Sequence, residues 1–234
     1  MMPVSAPPVP PAPAALISWS GGKDSCLALW RARQSGMTLR RLITALDEAG
    51  ESSRSHGVPP DLIRAQADAL GMEMRFYETS WQNYEEKFIS TLRDARADGI
   101  THAVFGDIDL VPHREWEEKV CAQADIAPCL PLWGEPRRQL VDEFLSLGFK
   151  AVVVCVNGNH LGEEFCGREF DAAFLADLPA NVDACGENGE FHTFVYDGPA
   201  FTRPVAFQRA DKLHYQSPAE FGNIPYYFQR LSCA

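Results

Sequence analysis

From Ala15 onward the chain alternates short apolar runs with stretches in which apolar residues return every third or fourth position, the marks of buried strand and amphipathic helix. The runs predict strands near 15–19, 40–46, 73–77, 101–106 and 150–156. The periodic stretches predict helices near 24–35, 59–70, 82–98, 114–123 and 137–147. Strand and helix in succession imply βαβ units and therefore a mainly parallel sheet covered by helices. In the third helix Trp81, Tyr84, Phe88 and Leu92 mark an apolar face bound for the core, and Gly99 stands just past its end. The fifth helix has Pro136 near its first turn, Leu140, Val141, Phe144 and Leu145 on one side, and Gly148 at its C′ position.

After Asn157 the pattern changes. A short helix near 168–175 precedes "VDACGENGEFHTFVYDGPAF", where glycines alternate with aromatic and β-branched residues, and this reads as loop and hairpin. The opening "MMPVSAPPVPPAPAA" places six of the 17 prolines in its first 13 residues, with neither a basic n-region nor an apolar h-region. It reads as an extended or disordered tail and not as a signal peptide. The expected organisation is a tail over 1–14, a nucleotide-binding domain over 15–130 and a smaller substrate-binding part over 131–234.

Composition narrows the function classes. The formal net charge of -11 repels phosphodiester backbones, and no Lys/Arg block offsets it, so extended nucleic-acid binding is not expected. No apolar run approaches the roughly 20 residues that span a bilayer, so no membrane association is expected. The seven cysteines are odd in number and include no C-x-x-C pair, which disfavours a disulfide scaffold and a zinc or iron–sulfur site. Buried, reduced cysteines in a cytoplasmic protein are the expectation.

The densest chemistry is "SGGKDS", Ser20-Gly21-Gly22-Lys23-Asp24-Ser25, set where the first strand ends and the first helix begins. Unpaired backbone N–H groups and the positive end of the helix dipole meet an anion in such a place. Glycines admit phosphate close to the backbone, the serines offer hydroxyls and Lys23 offers charge. The Walker spacing G-x-x-x-x-G-K-[ST] fails, because Ile17 occupies its first glycine position and Asp24 its last. An aspartate within a phosphate loop makes sense if it helps to place Mg²⁺.

The six residues resemble, letter for letter, the PP-loop of the ATP pyrophosphatase, or adenine nucleotide alpha hydrolase, superfamily. That likeness implies a grip on the pyrophosphate portion of ATP and chemistry at the α-phosphorus. Three further stretches follow in order: "SSRSHGVPPDLIRAQADALGM"; "VFGDIDLVPHREWEEKVCAQADIAPCLPLWG", with Gly106-Asp107 at a strand end; and Gly186-Glu187-Asn188-Gly189-Glu190-Phe191. Together they resemble the diphthine–ammonia ligase family, also called the diphthamide synthesis ATP-binding domain family, from about Ala15 to Phe201. "DLVPHREW" and the Asn188 and Phe191 positions depart from the pattern of eukaryotic and archaeal members, and the resemblance points to a bacterial member.

The resemblance implies a HUP-type, Rossmann-like α/β sheet with a smaller C-terminal α+β part. It also implies a ligase that joins a substrate carboxylate to ammonium, with ATP giving AMP and pyrophosphate. Under it, Ser20, Gly21, Gly22, Lys23, Asp24, Ser25, Gly106 and Asp107 hold ATP, and Asp24 and Asp107 hold Mg²⁺. Lys23, Asp24, Glu187 and Glu190 carry the reaction, while His56, Glu187, Asn188, Glu190 and His192 meet the substrate, ammonium included. His192 is open both to a base role and to a structural one, and so is His56. Arg168 is expected to pair with Asp171, three residues on. A sulfur-transfer enzyme and a non-catalytic nucleotide-binding module remain open readings. A homodimer is compatible with a sequence that gives no view of oligomeric state.

Overall fold

A computed structural model describes residues 12–54, 56–219 and 222–234. The predicted tail over 1–14 lies largely outside these residues, and Ala14 already opens the first strand. The chain runs β1 (Ala14–Ser18), α1 (Lys23–Gln34), β2 (Thr38–Leu46), α2 (Pro60–Leu70), β3 (Glu73–Glu78), α3 (Tyr84–Ala97), β4 (His102–Val104), α4 (Val111–Gln123) and β5 (Ala127–Cys129). It continues with α5 (Arg137–Ser146), β6 (Lys150–Asn157), α6 (Ala172–Asp177), β7 (Phe191–Asp197), β8 (Phe207–Gln216) and β9 (Pro225–Cys233).

The first five strands form a parallel sheet in the order β3-β2-β1-β4-β5. Chain direction therefore switches sides between β1 and β4, and ligands of open α/β sheets sit in the crevice beyond such strand ends. Ala15, Leu16 and Ile17 are fully buried, which explains why β1 reads as a continuous apolar run and not as an alternation. Leu16 and Ile43 face a cluster with Phe88 and Leu92 of α3 and Val120 of α4. Ala15 and Ile17 face the opposite cluster, which is continuous with Val152 of β6 and Phe194 of β7. The second sheet, antiparallel in the order β7-β6-β9-β8, is thus joined to the first through apolar packing around α1. The expected division at 130/131 falls between β5 and α5.

Several expectations need correction. Residues 191–197 form β7 against β6 and not one arm of a local hairpin. Strands β5, β8 and β9 escaped the pattern reading: β5 is three residues containing Pro128, and β8 is exposed along nearly its whole length, so it has no buried face to alternate. Helix α4 begins at Val111, with Pro112 in its first turn, three residues before the expected start. Trp81 precedes α3 and is 69% exposed, whereas Phe88 and Leu92 are buried as expected. Arg168 pairs with Asp177 at 2.8 Å instead of Asp171, because the Asp171 carboxylate caps α6 by accepting from the Phe174 N–H at 2.8 Å.

Candidate active site

The loop after β1 turns on Gly21, whose φ of +80 favours glycine, and delivers the chain into α1 at Lys23. Its conformation is held from the second sheet. The Lys23 backbone N–H, one of the unpaired donors of the helix start, donates to Thr193 Oγ1 at 3.0 Å. The Val195 N–H donates to the Gly21 carbonyl at 2.9 Å. Gln66 of α2, fully buried, donates through Nε2 to the carbonyls of Gly21 and Val195 at 3.0 and 2.6 Å and accepts from Trp19 Nε1 at 2.9 Å. Ser20 Oγ accepts from the Gly22 N–H at 3.2 Å and bonds Ser25 Oγ at 3.1 Å.

Gly22 and Gly106 are there for room. A Cβ on Gly22 would lie 2.5 Å from His56 Cε1, and one on Gly106 would lie 2.9 Å from the Ser25 backbone nitrogen. The segment after β4 can therefore lie against the start of α1 only as glycine, which places Asp107 beside the loop.

A cavity of about 460 Å³ opens over these strand ends. Lys23, Asp24, Asp107, Glu187, His56 and His192 all line it. Lys23 is buried, and its ammonium contacts Asp24 at 2.6 Å. Burial opposes that charge, but Asp24, with Cys185 and Glu187 close by, outweighs it and holds Lys23 above the ordinary lysine range. Burial, and then Asp24, push the Glu187 carboxyl up to about 7. Burial pushes His192 down to about 4, and with His192 as neighbour it also pushes His56 well below its ordinary value. The two rings stack with centroids 4.6 Å apart. His56 Nδ1 lies 2.9 Å from the Thr193 carbonyl, so a neutral ring donates there and leaves Nε2 as its lone-pair nitrogen.

The remaining predicted residues have other work. Glu190 is buried, does not line the cavity, and accepts from the backbone N–H groups of Asp183 and Asn188 and from Asn188 Nδ2, at 2.9–3.1 Å. Neither Glu190 nor Asn188, both expected to meet the substrate, lines the cavity; both shape the turn that presents Glu187. Arg137, at the start of α5, grips that turn through Asp183 at 2.7 Å and Asn188 at 3.2 Å, and grips Asp109 at 2.7 Å. The 107–109 and 183–190 segments are thereby clamped together.

Sequence reasoning missed His113 and Glu117. His113 Nδ1 contacts Asp107 at 2.7 Å, which raises the His113 pKa. Glu117 is buried and pushed up to about 10, first by burial and then by its hydrogen bond to Asp107. Their spacing on α4, four residues apart, was the available signal, but only the placement of Asp107 gives it meaning.

Fold and site define a PP-loop nucleotide enzyme with a second, antiparallel sheet closing its cavity. Two family models match: the diphthamide synthase N-terminal domain over residues 14–128 and the diphthamide synthase C-terminal domain over 136–221. The chain belongs to the diphthamide synthase family, a family of ATP-dependent, amide-forming ligases. The diphthine–ammonia ligase of Danio rerio is 25% identical over an alignment of 251 residues that covers 86% of this chain and 96% of that protein. The diphthine–ammonia ligase of Mus musculus is 26% identical over 117 residues, 47% of this chain and 42% of that protein. That of Schizosaccharomyces pombe is 21% identical over 85% of this chain and 36% of its own length. The chain thus spans less than half of these two longer relatives. A solved structure described as a "predicted subunit of tRNA methyltransferase" from Methanocaldococcus jannaschii is 20% identical, with a TM-score of 0.40 over 60% of this chain and 80% of that one. Among the described residues no helix is long and apolar enough to cross a membrane.

Proposed function

We propose that the protein adenylates a carboxylate with ATP and transfers the acyl group to ammonia, releasing AMP and pyrophosphate, with diphthine or a chemically similar carboxylate as the substrate that is adenylated. The observation that carries this reading is the docking of β7 onto the SGGKDS loop, which brings Glu187, His56 and His192 into one cavity with Lys23. A protein that only bound nucleotide would have no use for a polarised carboxyl there. A sulfur-transfer enzyme would want a thiol, and among the described residues no cysteine lines the cavity.

In the first step a carboxylate oxygen attacks the α-phosphorus and the bond to the β-phosphate breaks. Lys23 and the loop N–H groups stabilise the charge gathering on departing pyrophosphate. In the second step the ammonia nitrogen attacks the acyl carbon and AMP leaves, and Glu187, poised near neutrality, takes the proton that nitrogen sheds. The neutral imidazoles of His56 and His192 add no cationic charge where a cationic nitrogen donor approaches. Asp24 and Asp107 face the same cavity, and no cluster of three or more metal-ligating side chains occurs among the described residues. That fits Mg²⁺, which is held by one or two carboxylates plus phosphate oxygens and would neutralise phosphate charge.

Product analysis tests the reading: AMP and pyrophosphate should form only when a suitable carboxylate and ammonium are both supplied. ADP as sole product would overturn it. Lys23→Ala should lower turnover by about 10²–10³-fold with the fold intact, and a fully active variant would remove Lys23 from its assigned role.

A further inference from the structure

The turn that presents Glu187 owes its hydrogen-bonded place in the molecule to one residue. Between α6 and β7 the stretch 178–190 contains neither helix nor strand. Within it the Gly186 and Gly189 N–H groups donate to the carbonyls of Asp183 and Gly186 at 3.0 and 3.2 Å. The Cys185 and Glu187 N–H groups donate to the Asp183 carboxylate at 3.1 and 3.2 Å. Those bonds give the turn its shape and not its place. Among the described residues, every hydrogen bond that 183–189 make outside the turn goes to Arg137. Its Nη1 donates to Asp183 at 2.7 Å and to Asn188 at 3.2 Å, and its carbonyl accepts from Cys185 Sγ at 3.6 Å.

The rest of the Arg137 guanidinium grips Asp109, with Nε and Nη2 each donating to one carboxylate oxygen at 2.7 Å. This is the bidentate fork in which arginine is strongest. The 107–109 segment has anchors of its own. The Gly134 N–H donates to the Ile108 carbonyl at 2.8 Å, His113 Nδ1 meets Asp107 at 2.7 Å, and Gly106 lies against the start of α1. One planar cation therefore hangs a turn with no other hydrogen-bonded anchor on a segment that has several. Arg138, the next residue, shows the ordinary alternative: it pairs with Asp142 on the exposed face of its own helix. Arg137 does not line the cavity, so it acts through other residues. Its charge reaches the site all the same: burial and then Asp24 raise the Glu187 carboxyl to about 7, and Lys23 and Arg137 oppose that rise.

We infer that Arg137 is a positioning residue for amide formation: its fork, spread over Asp109 and Asp183, fixes where Glu187 stands relative to Lys23 and Asp107. The inference rests on the reading above, in which Glu187 takes the proton from the attacking nitrogen. Adenylation should not depend on Arg137, because Thr193, Val195 and Gln66 hold the phosphate loop without it. Lysine would keep the charge but offer one point where the fork reaches two carboxylates.

Two measurements on the full chain test this. Hydrogen exchange read by mass spectrometry follows the turn without any ligand. Asp109→Ala removes a carboxylate that meets the turn only through Arg137, yet it should speed exchange at Glu187 and Asn188 by about tenfold. Arg137→Lys and Arg137→Gln should do the same, with β6 and β7 unchanged. Initial rates with ATP, Mg²⁺ and free diphthine then separate the two steps. In Arg137→Gln, ATP–pyrophosphate exchange without ammonium should stay within about twofold of the parent, while amide formation with ammonium falls by about 10- to 100-fold. A merely structural role would lower both alike, and that result would overturn the inference. Unchanged turn exchange in Asp109→Ala, or full amide formation by Arg137→Lys, would overturn it too. If the unmodified chain catalyses no pyrophosphate exchange with diphthine, the ligase reading fails for that carboxylate, and hydrogen exchange alone decides whether Arg137 holds the turn.

Discussion

Thr193→Val tests whether the phosphate loop is shaped by the second sheet. The substitution is nearly isosteric and removes one hydroxyl, the acceptor 3.0 Å from the Lys23 N–H. It leaves the Thr193 carbonyl in place for His56 Nδ1. Thr193 is 2% exposed and the methyl that replaces its hydroxyl occupies the acceptor's place, so the N–H loses its partner at a cost of about 1–3 kcal/mol. Unfolding entropy of roughly 2.1 cal/mol/K per residue gives about 0.5 kcal/mol per degree for a chain of 234 residues, so Tm should fall by about 2–6 °C. Thermal melts with and without ATP and Mg²⁺ supply the assay, with Thr193→Ser as the variant that restores the hydroxyl. A Tm within 1 °C of the parent, or a serine variant no better than valine, would refute the argument.

Gly106→Ala should cost about 1–3 kcal/mol and weaken ATP binding, because its methyl meets backbone at Ser25 and Asp24 and no flexible side chain can yield; calorimetry against ATP checks it, and parental affinity would count against the close approach. Gln66→Leu should destabilise by about 2–5 kcal/mol, read from urea midpoints, since it strands the Trp19 indole N–H and removes a donor from two buried carbonyls. Glu187 has its folded pKa raised to about 7, so its stabilising balance is complete below about 4.5 and is lost as pH rises through 7; Glu187→Gln should flatten that decline in melts between pH 5 and 8. His192 has its folded pKa depressed to about 4, so stability drains as pH falls from about 6.5 to 4, and His192→Gln should flatten the slope of opposite sign.

The parallel half of the molecule was legible because its information is local. Apolar runs such as that of β1, the 3.6-residue periodicity of α3, and a glycine such as Gly99 just past its end each act within a few residues of themselves. SGGKDS was legible for the same reason, since a strand end, a glycine turn and a helix start are all local features. Gly106-Asp107 could be placed at a strand end but not against α1, because its proximity to Ser25 depends on β1 and β4 being neighbours.

By itself, then, the sequence determined the α/β order and the glycine loop between β1 and α1. The tertiary structure decided what faces that loop. Thr193 reaches Lys23 across 170 residues and Val195 meets Gln66 across 129, links that no periodicity reports because each is a single buried polar contact. It also separated Glu187, left to the cavity, from Glu190, whose oxygens are taken by backbone N–H groups, although the two lie in one short acidic turn. Side chains so close in sequence share a composition, and only the direction in which the folded turn points them gives one to the cavity and the other to the turn's own backbone.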